Sequence, residues 1–297
     1  MDMITPDKLD EEYKRQHTRN TIFNTGAAVI TGVCVGLSVL SFYIDAFSFK
    51  HSMFFLIAGF VIICVMIKLS IPKSANMALN SLSVEFMRDY NSDHIYAKAY
   101  SLINDQKDPL VRQRTICVAA EIASIRGDIA GALGLMQTVD TNVIARDDEM
   151  SAIYWHDMLY YYFQAEDMDS VQRLYADIAP IFDRYAAAAH PRWDVLAMVN
   201  FYVSYAKGDY AGALEQRLAL NVFKEKILAM NKRPQPVHAF MRGQIYFETA
   251  YAYFGAGDMQ SAGRCLDMAA PCFSRDPYWI DRCNKLAARI QGTQDVH

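Results

Sequence analysis

The sequence predicts an all-α chain in two parts, an N-terminal transmembrane helical hairpin followed by an α-solenoid of stacked helical pairs. Three observations predict it. Two apolar stretches, residues 21–44 and 52–71, each reach the roughly 20 residues that a helix needs to cross a bilayer. From Ser74 onward apolar residues recur at three- and four-residue spacing, with no alternating strand pattern. Short breaks that carry Gly-Asp or a relative of it interrupt this pattern at Ser92-Asp93, Gly127-Asp128, Glu166-Asp167, Gly208-Asp209 and Gly257-Asp258.

Residues 1–20 are polar, mixed in charge and expected to be helical. Residues 21–72 form the two-span hairpin, and residues 73–297 the repeat domain. The first apolar stretch holds no charged residue and the second only Lys68, near its end. Its apolar part exceeds the 7–15 residues of a signal-peptide core, and a second stretch follows almost at once, so an uncleaved span is expected. Lys14, Arg15 and Arg19 precede the first span, and Lys68 and Lys73 close the second, against Lys50 alone in the connecting loop. Positive residues stay on the cytoplasmic side, which places both termini in the cytoplasm and the loop outside an inner (cell) membrane. Ala28, Gly32 and Gly36 fall at four-residue spacing on one helix face. Small residues there allow close helix approach, either to Ala58 and Gly59 of the same hairpin or to another chain, as a homo- or hetero-oligomer. Neither span buries an acidic group or a histidine. Transport and conduction need polar groups at depth, so the hairpin reads as an anchor in the lipid bilayer.

Successive breaks in the repeat domain are 35, 39, 42 and 49 residues apart, a drifting period of the kind that stacked helical hairpins show. The text after them reads SDHIYAKAYSLI, GDIAGALGLM, EDMDSVQRLY, GDYAGALEQR and GDMQSAGRCL. The fifth residue after the first of each pair is Ala97, Ala132, Val171, Ala213 or Ala262, small enough for two helices to approach. Glycine suits a helix C-terminus, where left-handed backbone costs it little, and the following aspartate suits the start of the next helix.

On these residues the chain resembles the tetratricopeptide repeat family over about 200 residues. That family carries a helix, a Gly-Asp-type turn and a second helix with a small residue early in it. Residues 155–174 match best, with Trp155 and Tyr162 at the large first-helix positions and Val171 in place of the usual Ala. Residues 246–269 follow, with Tyr246, Ala250, Tyr253, Ala262 and Ala269 in register. The spacing departs from the family's period of about 34, so some helices must be longer and the superhelix irregular.

The resemblance implies a TPR-like concave groove lined by the first helix of each pair. Carried across, its lining is His156, Tyr160 and Phe163, then Met198, Tyr202 and Tyr205, then Phe247, Tyr251 and Phe254. This set is rich in aromatics and poor in charge, which suits a protein or peptide partner held by aromatic anchors. It has no Lys/Arg cluster to clamp a terminal carboxylate. Internal packing, with the chain's own C-terminal helix or an irregular turn of the solenoid in the groove, explains the same residues, and both readings stand open here.

Chemistry leaves little trace. The net charge is −4 with no basic cluster, which argues against nucleic acid. No HExxH, GxSxG or GxxxxGK[ST] pattern occurs. Cys34, Cys64, Cys117, Cys265, Cys272 and Cys283 form no CxxC pair; they read as reduced thiols, with no metal or other cofactor expected. His190 and His238 follow or flank prolines and are expected in connections. Asp147, Asp148 and Glu149 suit a helix start, and Asp169, Asp177 and Asp183 solvated helix faces. The expectation is therefore a non-enzymatic, membrane-anchored adaptor or assembly factor. The alternative is an accessory subunit of a larger membrane complex, such as an exporter, that contacts its partners through the hairpin. An enzyme using the concave surface ranks last.

Overall fold

A computed structural model describes residues 3–43, 82, 93–230, 236–273 and 276–294. Every regular element among them is helical, so the all-α class holds. The helices are α1 (Pro6–Tyr43), α2 (Asp93–Asp105), α3 (Pro109–Ile125), α4 (Ile129–Met136), α5 (Thr141–Ile144), α6 (Asp148–Gln164), α7 (Met168–Ala186), α8 (Trp193–Ala206), α9 (Tyr210–Ala229), α10 (Pro236–Gly255), α11 (Met259–Ala269) and α12 (Pro277–Gln294), with a 3-10 turn at Ala270–Phe273. Two compact units result. One joins Met1–Glu12 to Leu79–His297, and the other is Tyr13–Ala78.

In the second unit α1 carries the first apolar stretch as far as Tyr43, with Ala28, Gly32 and Gly36 one turn apart along it. Ile22, Val29 and Gly32 are exposed on this helix. Among the described residues no helix is long and apolar enough to cross a membrane. Residues 52–71, including Ala58 and Gly59, lie outside the described residues, as does the connecting loop. The two-span expectation therefore gains no support from this structure.

Among the described residues the larger unit uses one turn four times. Gly127, Glu166, Gly208 and Gly257 take left-handed backbone, with φ of 89°, 57°, 78° and 82°. The next residue is always aspartate. Its backbone N–H closes onto the carbonyl five residues back, as Asp128 does to Ala123 at 2.9 Å and Asp209 to Ser204 at 2.9 Å. This satisfies a carbonyl that the helix end leaves open. The aspartate side chain then accepts from the N–H three residues on, Asp128 from Gly131 at 2.8 Å and Asp258 from Ser261 at 2.9 Å, and so caps the following helix. Four residues beyond each aspartate, Ala132, Val171, Ala213 and Ala262 are wholly buried between the paired helices.

The helices joined in this way pack as α3 on α4, α6 on α7, α8 on α9, and α10 on α11; α6 also meets α8, and α9 meets α10. The drift in spacing has a direct cause. The short α5 is inserted ahead of α6, and α7, α9 and α10 run to 19, 20 and 20 residues. The first break differs from its sisters. Ala97 is exposed, because α2 buries Ile95, Ala99 and Ile103 along one face and so turns Ala97 outward. His190 lies in the α7–α8 connection as expected, but His238 lies within α10. Pro236 begins that helix at the position where its missing N–H and fixed φ are harmless. Asp147 caps α6 through the Met150 N–H at 3.0 Å, and Asp169, Asp177 and Asp183 are exposed.

The left-handed turns supply a direct test. A Cβ added at Gly208 meets nothing within 4 Å, so Gly208→Ala carries only the conformational cost, about 1–2 kcal/mol for an L-residue in this region. A Cβ at Gly127 runs into the Tyr278 ring as well. Urea denaturation of the two variants is expected to show Gly127→Ala as clearly the less stable.

Candidate functional site

The nine positions marked as a groove do converge, but mainly as packing. Tyr202, on α8, stacks on Tyr160 of α6 with ring centres 5.7 Å apart, and lies 4.9 Å from Phe163 and 5.9 Å from His156. Phe163 reaches Tyr205 at 5.4 Å and Tyr251 of α10 at 5.7 Å, and Tyr251 meets Phe247 at 5.9 Å. Phe163, Met198, Tyr202, Tyr205, Phe247 and Tyr251 are all buried. Edge-on and tilted rings of this kind add stability beyond their buried area.

The C-terminal helix closes the middle of the seam. Trp279 stacks on Phe273 at 4.9 Å and meets Phe247 edge-on at 5.6 Å. Its indole N–H donates to the Ile125 carbonyl, at 3.3 Å. Arg282 lies 4.9 Å from the Phe247 ring centre. The chain's own α12 thus covers the α10 part, Phe247, Tyr251 and Phe254, of the face that the sequence offered as a groove.

One end stays open. Glu166, Met168, Tyr205, Tyr210, Tyr251, Phe254, Gly255 and Arg289 line a depression of about 300 Å³. Arg289 lies 4.9 Å from the Phe254 ring centre, donates to the Tyr251 hydroxyl at 3.1 Å and pairs with the Glu166 carboxylate at 3.2 Å. Tyr210 is exposed, and its ring sits edge-on to Tyr205 at 5.0 Å. A larger depression of about 390 Å³, at Tyr96, Arg126, Gly127 and Asp128, meets none of the nine candidates.

Behind the seam runs a line of charge that sequence reasoning missed. Arg217 of α9 is wholly buried and paired with Glu248 of α10. Its guanidinium also reaches the Ile245 carbonyl at 3.4 Å and the Met198 sulfur at 3.2 Å. Burial, aided by Arg217, pushes the Lys224 ammonium down to about 8, while Glu248 and Asp194 pull the other way. Burial opposes ionisation of Asp194, but Arg192, bonded to it at 2.8 Å and 3.2 Å, holds that carboxyl below its usual range. Burial also raises the Tyr160 and Tyr202 hydroxyls well above the normal phenol range. No cavity opens onto these groups among the depressions described, and among the described residues no cluster of His, Cys, Asp or Glu could hold a metal ion. Cys117, Cys265 and Cys283 are buried free thiols, and burial raises Cys283 to about 11, which keeps it protonated and unreactive.

The Arg192–Asp194 end of this line meets the N-terminal segment. Ile4 and Leu9 keep 3% and 2% of their surface and Glu12 1%; each apolar side chain contributes about 1.5–3 kcal/mol by burial. The side-chain amide of Gln216 pairs with both backbone groups of Ile4, accepting its N–H at 3.0 Å and donating to its carbonyl at 2.8 Å. Asn200 steadies that amide at 3.2 Å. The Glu12 carboxylate accepts the Asp194 N–H at 3.1 Å, Asp10 pairs with Lys226, and the Lys8 ammonium stands 4.2 Å from the Trp193 ring centre.

Two outcomes follow. Glu248→Ala leaves Arg217 buried without its carboxylate and is expected to cost about 3–5 kcal/mol in chemical denaturation. The Glu12 carboxyl rises from an ordinary value near 4.5 to about 7, first through burial and then through the Asp194 carboxylate, with Arg192 opposing. A carboxyl raised by docking binds its proton more tightly when docked. The attachment of residues 3–12 is therefore full below about pH 4.5 and weakens as pH rises through about 7. Amide hydrogen exchange in this segment, corrected for intrinsic rate, is expected to follow that course in the wild-type chain and to stay flat in Glu12→Gln.

No family model matches the chain, and no curated protein does. Among solved structures, the crystal structure of BtubC (BKLC) from P. vanneervenii is similar at 14% identity, with a TM-score of 0.36 over 85% of this chain and 91% of that one. A likeness of that size bears on neither fold nor function.

Proposed function

We propose that the chain is a membrane-tethered protein-interaction adaptor or assembly factor, with a TPR-like helical-repeat domain that holds a protein or peptide partner. The observation that carries this reading is the open end of the aromatic seam. There Tyr205, Tyr210, Tyr251 and Phe254 line a depression together with the Arg289–Glu166 pair. Amphipathic rings beside a planar cation are the groups that anchor protein interfaces. Glu166 adds weight, because it holds a left-handed turn that glycine fills in three sister turns. A side chain retained there at a conformational cost points to a use for its carboxylate.

The tether is read from the sequence. Residues 21–44 are uncharged, residues 52–71 carry one lysine, and Ile22 and Val29 stand exposed on α1. Exposed aliphatic side chains on the uncharged stretch of a helix, here the part of α1 from residue 21 on, suit lipid. The partner is a polypeptide rather than a nucleic acid, given the acidic net charge of −4.

The test uses the full chain expressed in cells, with membranes washed in alkaline carbonate, cross-linked and then solubilised. The chain is expected to stay in the membrane pellet and to carry one cross-linked protein in constant ratio. Phe254→Asp with Arg289→Glu should remove that protein and leave the circular dichroism spectrum unchanged. Full recovery by the folded double variant, or release of the chain by carbonate, would sink the reading.

A further inference from the structure

The segment before α1 is held the way a peptide ligand is held. Met3 to Thr5 are not helical, and helix begins at Pro6. At Ile4 the contact is to the backbone itself, since Gln216 meets the N–H and the carbonyl of one residue at once. A side-chain amide used in this way imitates a neighbouring strand and reads extended backbone whatever the side chain. Gln216 keeps 1% of its surface. A buried amide is costly unless both its groups are satisfied, and here the Ile4 backbone satisfies both. Space alone would have been filled more cheaply by leucine.

The remaining contacts supply selectivity. The Ile4 and Leu9 side chains are buried, five residues apart. Beyond Leu9 come two carboxylates, Asp10 on Lys226 and Glu12 on the Asp194 N–H. Lys226 sets a positive charge against Asp10, the Glu12 carboxyl accepts the Asp194 N–H beside the Arg192–Asp194 pair, and Trp193 receives Lys8.

We propose that this α8–α9 face is a segment-binding site, that residues 3–12 are its resident ligand in cis, and that its ligand in trans is an acidic segment of a partner protein with the same pattern: an apolar residue in extended backbone, a second one five residues on in a helical turn, a carboxylate one residue after that for Lys226, and a carboxyl group two residues further on for the Asp194 N–H. The site is separate from the aromatic depression and does not rest on the function proposed there. The resident segment blocks it, so binding of a partner segment and release of residues 3–12 are one exchange.

The experiment takes the full chain in detergent and a fluorescent peptide of residues 1–14 as probe. Ile4→Asp with Leu9→Asp frees the site of its own segment. That variant, checked for folding by circular dichroism, is expected to bind the probe, and the wild-type chain to bind it at least tenfold more weakly. Adding Gln216→Leu to the double variant should weaken binding by about tenfold or more, since the peptide backbone then loses both partners. Failure of the folded double variant to bind the probe, or indifference to Gln216→Leu, overturns the proposal. If the double variant unfolds, excess unlabelled peptide is added to the wild-type chain and exchange of its amides in residues 3–12 is followed. Faster exchange there supports displacement, and unchanged exchange overturns it.

Discussion

Four times along the larger unit one residue takes left-handed backbone and hands the chain to an aspartate that caps the next helix. The turn is closed by hydrogen bonds on both sides and has no slack. Two helices leaving it must lie close together, and the residue four places past the aspartate faces the partner helix. Ala132, Val171, Ala213 and Ala262 are wholly buried for that reason. The turn fixes where each hairpin begins and not how long its helices run. Added length in α7, α9 and α10 and the insertion of α5 therefore shift the spacing without disturbing the joint.

Close joints bring the first helices of successive hairpins together, and their rings fill the space between them. The charged groups behind the rings obey a different rule. Arg217 and Glu248 gain little over an apolar pair of the same shape, because both were taken from water. Their effect lies in the penalty for misalignment. Any register of α9 on α10 that parts them leaves a charge buried alone. The aromatic seam tolerates small shifts, whereas the ion pair does not, and together they give a packed face with one alignment.

The joints were legible in the sequence because they depend on neighbouring residues. Gly-Asp at 127, 208 and 257 and Glu-Asp at 166 are local signals, and each stands where the turn stands. Ala97 misled because a four-residue offset carries no information about which face of α2 is buried. The aromatic positions were found, but their state was not. Whether a ring such as Phe247 lines a groove or a core depends on α12, and nothing near residue 247 announces Trp279. The N-terminal site was invisible for the same reason, since Ile4 and Gln216 are 212 residues apart. One trace did exist. Asn200 and Gln216 are polar residues on otherwise apolar buried faces, VLAMVNFYV of α8 and the Ala213–Leu220 side of α9. A buried amide always needs a partner, and asking what that partner is leads to the segment.

A ligand that is part of the same chain competes on special terms. Its effective concentration is set by the tether and not by expression, and for short tethers it reaches about the millimolar range. A free partner segment at cellular concentration meets that competition even if its contacts are equal, and the fraction of open sites divides its apparent affinity. Two routes overcome it. One is a better ligand, which would bury more than Ile4 and Leu9. The other is a partner concentrated in the same place, which the membrane tether proposed above would supply by confinement. The carboxyl of Glu12, raised to about 7 first by burial and then by Asp194, lowers the barrier further as pH rises. The resident segment and the proposed tether would thus be complementary: the first rejects chance encounters, and the second would favour partners already at the surface.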